Sequence, residues 1–139
     1  MLDITYLLFD KVSTLDNSPV FQSQILDWIL LQKRNGINVG LICTVQDMDK
    51  FKEIAANKLK ALDVPFVTIP NGSLIQNIIR SVKAARRFNS THGNSYICVR
   101  NIWGALVHKI AFPVGPPKLI YDFRGDLVAE SYFLRGKGS

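Results

Sequence analysis

Short apolar runs alternate with longer amphipathic ones along this chain. Ile4-Thr5-Tyr6-Leu7-Leu8-Phe9 is apolar on both faces, as a central parallel strand should be. A loop from Asp10 to Asn17 follows, then Ser18-Pro19, an N-cap and a first-turn proline. Phe21, Ile25, Trp28 and Ile29 fall on one helical stripe, and Asn35-Gly36 suits a left-handed helix end. Val39-Gly40-Leu41-Ile42-Cys43 reads as a second strand, 47–62 as a helix, and Phe66-Val67-Thr68-Ile69 as a third strand stopped by Pro70-Asn71-Gly72. A helix over 73–88 is expected to place Leu74, Ile75, Ile78, Ile79 and Val82 inside, and the polar stretch 89–94 reads as a loop. Tyr96-Ile97-Cys98-Val99 is a fourth strand, 102–112 a helix, and Lys118-Leu119-Ile120-Tyr121 a fifth strand.

Strands and helices alternating at this spacing predict an α/β fold, a Rossmann-like three-layer αβα arrangement. Its mostly parallel sheet has about five strands. The 139 residues fit one domain, 1–139. After the fifth strand, Asp122 to Glu130 should open another helix, yet only nine residues remain. The expectation is therefore a sheet truncated at its C-terminal edge, in a piece of a longer two-domain chain.

Composition narrows the chemistry. Hydrophobic residues make up 47% and charged ones 20%, a globular balance that needs neither disulfides nor a structural metal. No apolar run approaches the length that spans a bilayer; the richest, 25–31, is broken by Asp27. Cys43 and Cys98 each follow an apolar run and read as buried free thiols, and neither sits in a Cys-x-x-Cys pair, so no metal is expected. The formal charge of +6 favours anionic partners. Arg80, Lys83, Arg86 and Arg87 form the densest basic cluster. Arg80, Lys83 and Arg87 share one flank of their helix, beside Ile75, Ile79 and Val82. That flank is either a solvated face with cations favoured by the helix dipole, or a surface for anionic lipid headgroups or a polyanionic acceptor. Without interleaved aromatics, it does not point to specific nucleic-acid recognition.

Ligands of open parallel sheets bind beyond the carboxyl ends of the strands. Five loops qualify: 10–18, 44–47, 70–73, 100–103 and 122–126. The first contains no glycine, which argues against a dinucleotide enzyme or a P-loop NTPase. Leu8-Phe9-Asp10 through Thr14-Leu15 resembles the first motif of haloacid-dehalogenase-type phosphatases, in which an aspartate nucleophile ends the first strand. Thr44, and Asp122 with Asp126, fall where the later motifs would be. Val12 stands at that family's second aspartate and Ser13 at its usual glycine; a valine exchanges no proton. This is the second reading.

Lys118-Leu119-Ile120-Tyr121-Asp122-Phe123-Arg124-Gly125, followed by Glu130, resembles the Asp-x-Arg-Gly…Glu segment in the N-terminal domain of family 4 glycosyltransferases, which have the two-domain GT-B fold. Val99-Arg100, closing a strand before the helix of Trp103, Ala105 and Leu106, is similar to the family pattern too. The resemblance implies the acceptor-binding half of a retaining sugar transferase, inactive alone, acting in cell-surface glycan or lipopolysaccharide-type synthesis. A nucleotide sugar is its co-substrate and no cofactor is required. The implied partners are a C-terminal donor-binding domain of the same chain, which carries the catalytic residues, and a sugar or lipid-linked acceptor. Arg100 and Arg124 suit the stabilisation of a departing diphosphate. Asp122 and Glu130 either bind acceptor hydroxyls or fix the two arginines. Gly125, with Asp10, Ser13, Asn71 and Asn101 of the strand-end loops, completes the expected cleft wall. The expected location is cytoplasmic, with peripheral contact at the inner membrane face through Arg80, Lys83 and Arg87. A standalone Rossmann-like binding module is a third reading.

Overall fold

A computed structural model describes residues 1–8 and 25–122. The elements are β1 (Leu2–Leu8), α1 (Asp27–Arg34), β2 (Val39–Val45), α2 (Met48–Phe51), a π-helical turn (Lys52–Ala56), α3 (Asn57–Ala61), β3 (Phe66–Pro70), α4 (Leu74–His92), β4 (Asn94–Val99), α5 (Ile102–Ala111) and β5 (Lys118–Tyr121). All five strands are parallel, in the order β3-β2-β1-β4-β5. This is the expected Rossmann-like α/β layout.

Side chains alternate across the sheet and build two cores. Tyr6, Leu8, Leu41, Cys43 and Cys98 meet Leu26, Ile29 and Leu30 from the α1 segment and Phe51, Ala55 and Leu59 from the α2–α3 segment. Leu7, Ile42, Ile97 and Val99 meet Val82, Ala85 and Phe88 of α4 and Val107 and Ala111 of α5 on the other face. Both cysteines are free and buried. At the far end of the α1 side, Tyr96 and Ile120 of β4 and β5 remain about 40% exposed among the described residues.

The strands and helices follow the hydrophobic pattern, with instructive departures. The helix expected over 47–62 begins at the Asp47 cap, whose carboxylate accepts from Lys50 N at 3.1 Å, but widens into a π turn at 52–56. A 3.6-residue periodicity cannot register that turn; there, the adjacent Ala55 and Ala56 are both buried. The expected loop 89–94 is instead the last turn of α4 plus the start of β4. Its polar residues serve each other: Asn89 Oδ1 accepts from Asn94 N at 3.0 Å and Asn94 Nδ2 at 3.1 Å, and Thr5 Oγ1 donates to Asn94 Oδ1. The chain turns at Gly93, whose φ of +67° is a conformation that favours glycine.

Helix α4 is also rotated from its expected orientation. Ile75 and Ile79 face outward, while Asn77 and Ser81 lie fully buried beside Val82, Ala85 and Phe88. Hydrophobicity alone favours the isoleucines. The helix turns the other way because Asn77 is needed inside: its Oδ1 accepts from Gly72 N at 2.9 Å and its Nδ2 donates to Asn71 Oδ1 at 2.8 Å. Trp28 of the α1 stripe lies at the margin of the core, and Phe21 and Ser18-Pro19 fall outside the described residues.

Candidate functional site at the carboxyl ends of the strands

The chain runs from β1 to β2 on one side and returns past β1 to β4 on the other. The order of connection therefore reverses between β1 and β4, where open α/β sheets form their ligand crevice. Two glycines let backbone and helices approach this sheet closely. A Cβ on Gly104, in the first turn of α5, would stand 2.8 Å from Val99 Cβ and 3.4 Å from Leu7 O. A Cβ on Gly40 of β2 would meet the Phe88 ring at 2.7 Å.

Arg100 leaves the end of β4 and Asp122 the end of β5. Their side chains are only 11% and 17% exposed, and Nε lies 3.9 Å from Oδ2. Arg100 Nε is buried and makes no hydrogen bond. Asp122 N donates to Val99 O at 2.8 Å, which locks the two strand ends together beneath the pair. Beside them, Asn101 caps α5, its Oδ1 accepting from Gly104 N at 2.9 Å. Thus Arg100, Asn101 and Asp122 converge, and one of the three has a structural duty.

Asn71 sits at the same end of the sheet but elsewhere along it. Three strand spacings of about 4.8 Å separate β3 from β4, putting it about 14 Å from Arg100 in the plane of the sheet. There it joins a carboxamide ladder, Nδ2 donating to Gln46 Oε1 at 2.9 Å and Oδ1 accepting from Asn77. Asp10, Ser13, Arg124, Gly125 and Glu130 lie outside the described residues, as does Asp126. Thr44, placed in a loop by the sequence pattern, is inside β2 with its hydroxyl buried, on the α4 side by strand alternation. That position does not present it to a ligand beyond the strand end.

The basic cluster divides by use. Arg80 Nη1 donates to Pro70 O at 3.1 Å, and Arg86 holds the last carbonyls of α5, Nε to Ala111 O at 3.3 Å and Nη2 to Ile110 O at 3.1 Å. Lys83 and Arg87 are exposed on the outer surface of α4.

Tyr6 is a polar element that the strand pattern conceals. Its hydroxyl accepts from Trp28 Nε1 at 2.9 Å and donates to Gln32 Oε1 at 2.9 Å. Burial pushes the phenol pKa up; the negative charges of an ionised Cys98 and of Asp122 reinforce that, and the two hydrogen bonds partly oppose it. Tyr6 is thus a neutral phenol within the field of the Asp122 carboxylate. A tyrosine in the middle of β1 is the signal that sequence reading passed over.

No protein-family model, curated protein or solved structure matches this chain. Among the described residues, no helix is long and apolar enough to cross a membrane.

Proposed function

We propose that this chain forms the acceptor-side wall of the cleft in a retaining, nucleotide-sugar-dependent glycosyltransferase. The Arg100–Asp122 pair carries the reading: a largely buried guanidinium and carboxylate, loosely paired, on adjacent strand ends beside the switch point. A guanidinium is a fork of five donors that cannot deprotonate, so one held at 3.9 Å from its carboxylate retains capacity for oxygen-rich ligands. In transfer with retention, the donor's diphosphate departs as positive charge develops at the anomeric carbon. The acceptor hydroxyl must then be held against that carbon. Asp122 accepts a hydrogen bond from the acceptor and orients it, while Arg100 fixes Asp122 and adds positive potential on the side of the departing phosphates. The resemblance assigns Arg124 and Glu130, which lie outside the described residues, to the same acceptor site. The donor and the catalytic residues belong to the second domain that the resemblance implies.

The test is a backbone-amide NMR titration of the 139-residue chain with short oligosaccharides, and separately with nucleotide sugars. Oligosaccharides should shift the amides of 99–104 and 122, and Arg100→Gln should remove the response. The chain alone should transfer no sugar. Oligosaccharide shifts confined to other surfaces, or none with any glycan, would remove this reading. Magnesium-dependent hydrolysis of a phosphate ester, lost in Asp10→Asn, would replace it with the phosphatase.

A further inference from the structure

We propose that the outer surface of the α4–α5 layer is a docking face for an anionic lipid bilayer. The first observation is the distribution of charge. All eleven acidic residues fall at or before Asp63 or at or after Asp122; the segment 64–121 contains none. The same segment holds seven of the seventeen cations: Arg80, Lys83, Arg86, Arg87, Arg100, Lys109 and Lys118. The rest of the chain is nearly neutral, with ten cations against eleven acids. The net charge of the protein therefore belongs to this segment, and five of its cations, Arg80, Lys83, Arg86, Arg87 and Lys109, stand on α4 and α5.

The second observation is apolar. Ile75 and Ile79 of α4 are 70% and 49% exposed, one helical turn apart. On α5, Ile102, Leu106 and Ile110 follow at i, i+4 and i+8, all exposed, with Ile102 at 68%. Lys83 and Arg87 continue the row of Ile75 and Ile79 over the next two turns of α4, and Lys109 adjoins the second group. Helices α4 and α5 pack on the same face of the sheet, and Arg86 ties one to the other by capping α5. An open groove of about 570 Å³ between α5 and β5, lined by Ile102, Leu106, Lys109, Phe112 and Leu119, continues the apolar strip.

A surface helix ordinarily turns its branched aliphatics inward and mixes charges of both signs outward. Here both rules are broken on the same face. Cations interspersed with exposed aliphatics, and no acid among them, match a bilayer whose headgroups are negative and whose acyl boundary accepts short apolar side chains. Nucleic acid fits less well: the outward side chains are aliphatic and cannot stack on bases, while Phe88 is buried.

The experiment is flotation of the full chain with phosphatidylcholine vesicles, with and without phosphatidylglycerol. Association is expected only with the anionic vesicles, and is expected to weaken as salt rises from about 0.1 M, because screening shortens the reach of each charge. Each cation near such a surface strengthens binding about fivefold, so Lys83→Gln with Arg87→Gln should weaken it about thirtyfold. Ile75→Ser with Ile79→Ser should lose the association that survives high salt. All four positions are exposed, and circular dichroism of each variant verifies that it is folded. No association with anionic vesicles at low salt, association unchanged by the substitutions, or tighter binding to RNA than to vesicles would each overturn the proposal. Failure of the oligosaccharide titration leaves this face unaffected, so the two readings stand or fall separately.

Discussion

The indole N–H of Trp28 donates to the hydroxyl of Tyr6 at 2.9 Å, joining the outer margin of α1 to the central strand. Tyr6→Phe removes that acceptor and the donor to Gln32 together. We expect a loss of about 1–2 kcal/mol, read from urea unfolding, because both partners sit where water reaches only in part. Trp28→Phe should show a similar loss, and the double variant less than the sum.

The raised Tyr6 pKa has a consequence with a definite sign. The phenol titrates near 10 in the unfolded chain and higher in the folded one. Above about pH 10 the unfolded state therefore binds fewer protons, and stability falls as pH rises until the folded phenol ionises too. Below that range, Tyr6 contributes no slope. Urea midpoints measured on either side of pH 10 should show the decline in the parent chain and a smaller one in Tyr6→Phe.

Asp122→Asn leaves the Arg100 guanidinium largely buried without its countercharge. Exposed pairs contribute at most about 1 kcal/mol, while breaking buried ones costs about 3–5 kcal/mol. With one side chain 11% and the other 17% exposed, and 3.9 Å between their atoms, we expect an intermediate loss of roughly 1–3 kcal/mol. Thermal melting of Asp122→Asn and of Arg100→Gln checks this; Asp122→Asn should be the more harmful.

Gly104→Ala adds a methyl group where Val99 Cβ is 2.8 Å away. Neither α5 nor β4 can yield without disturbing the crevice, so we expect a loss of about 1–3 kcal/mol in denaturant unfolding. Asn101→Ala, which removes the cap from the same helix, should lose about 0.5–2 kcal/mol, and Asn101→Ser much less.

The five strands and the order of helices were legible because each element carries a sustained period of two or 3.6, or a short apolar run between turn residues. The orientation of α4 was not. Ile75 and Ile79 look like core residues until Asn77 is seen accepting from Gly72 N and donating to Asn71, a local loop-to-helix requirement that a count of apolar positions does not register. The site divides likewise. Arg100, Asn101 and Asp122 were recognisable as strand-end residues, yet the capping role of Asn101 depends on how closely α5 approaches β4. The acid-free stretch 64–121 could have been read from letters alone; what it lacked was the knowledge that α4 and α5 share one face.

The pairing of β1 carries a last implication, for synthesis on the ribosome. One edge of β1 meets β2 early, with Ile4 opposite Val39, but the other awaits β4, with Leu2 opposite Asn94. Until β4 emerges, that edge of β1 presents a row of unsatisfied amides and carbonyls, open to a neighbouring nascent copy. Slower translation across α4 would lengthen the interval in which that edge stays open to such pairing.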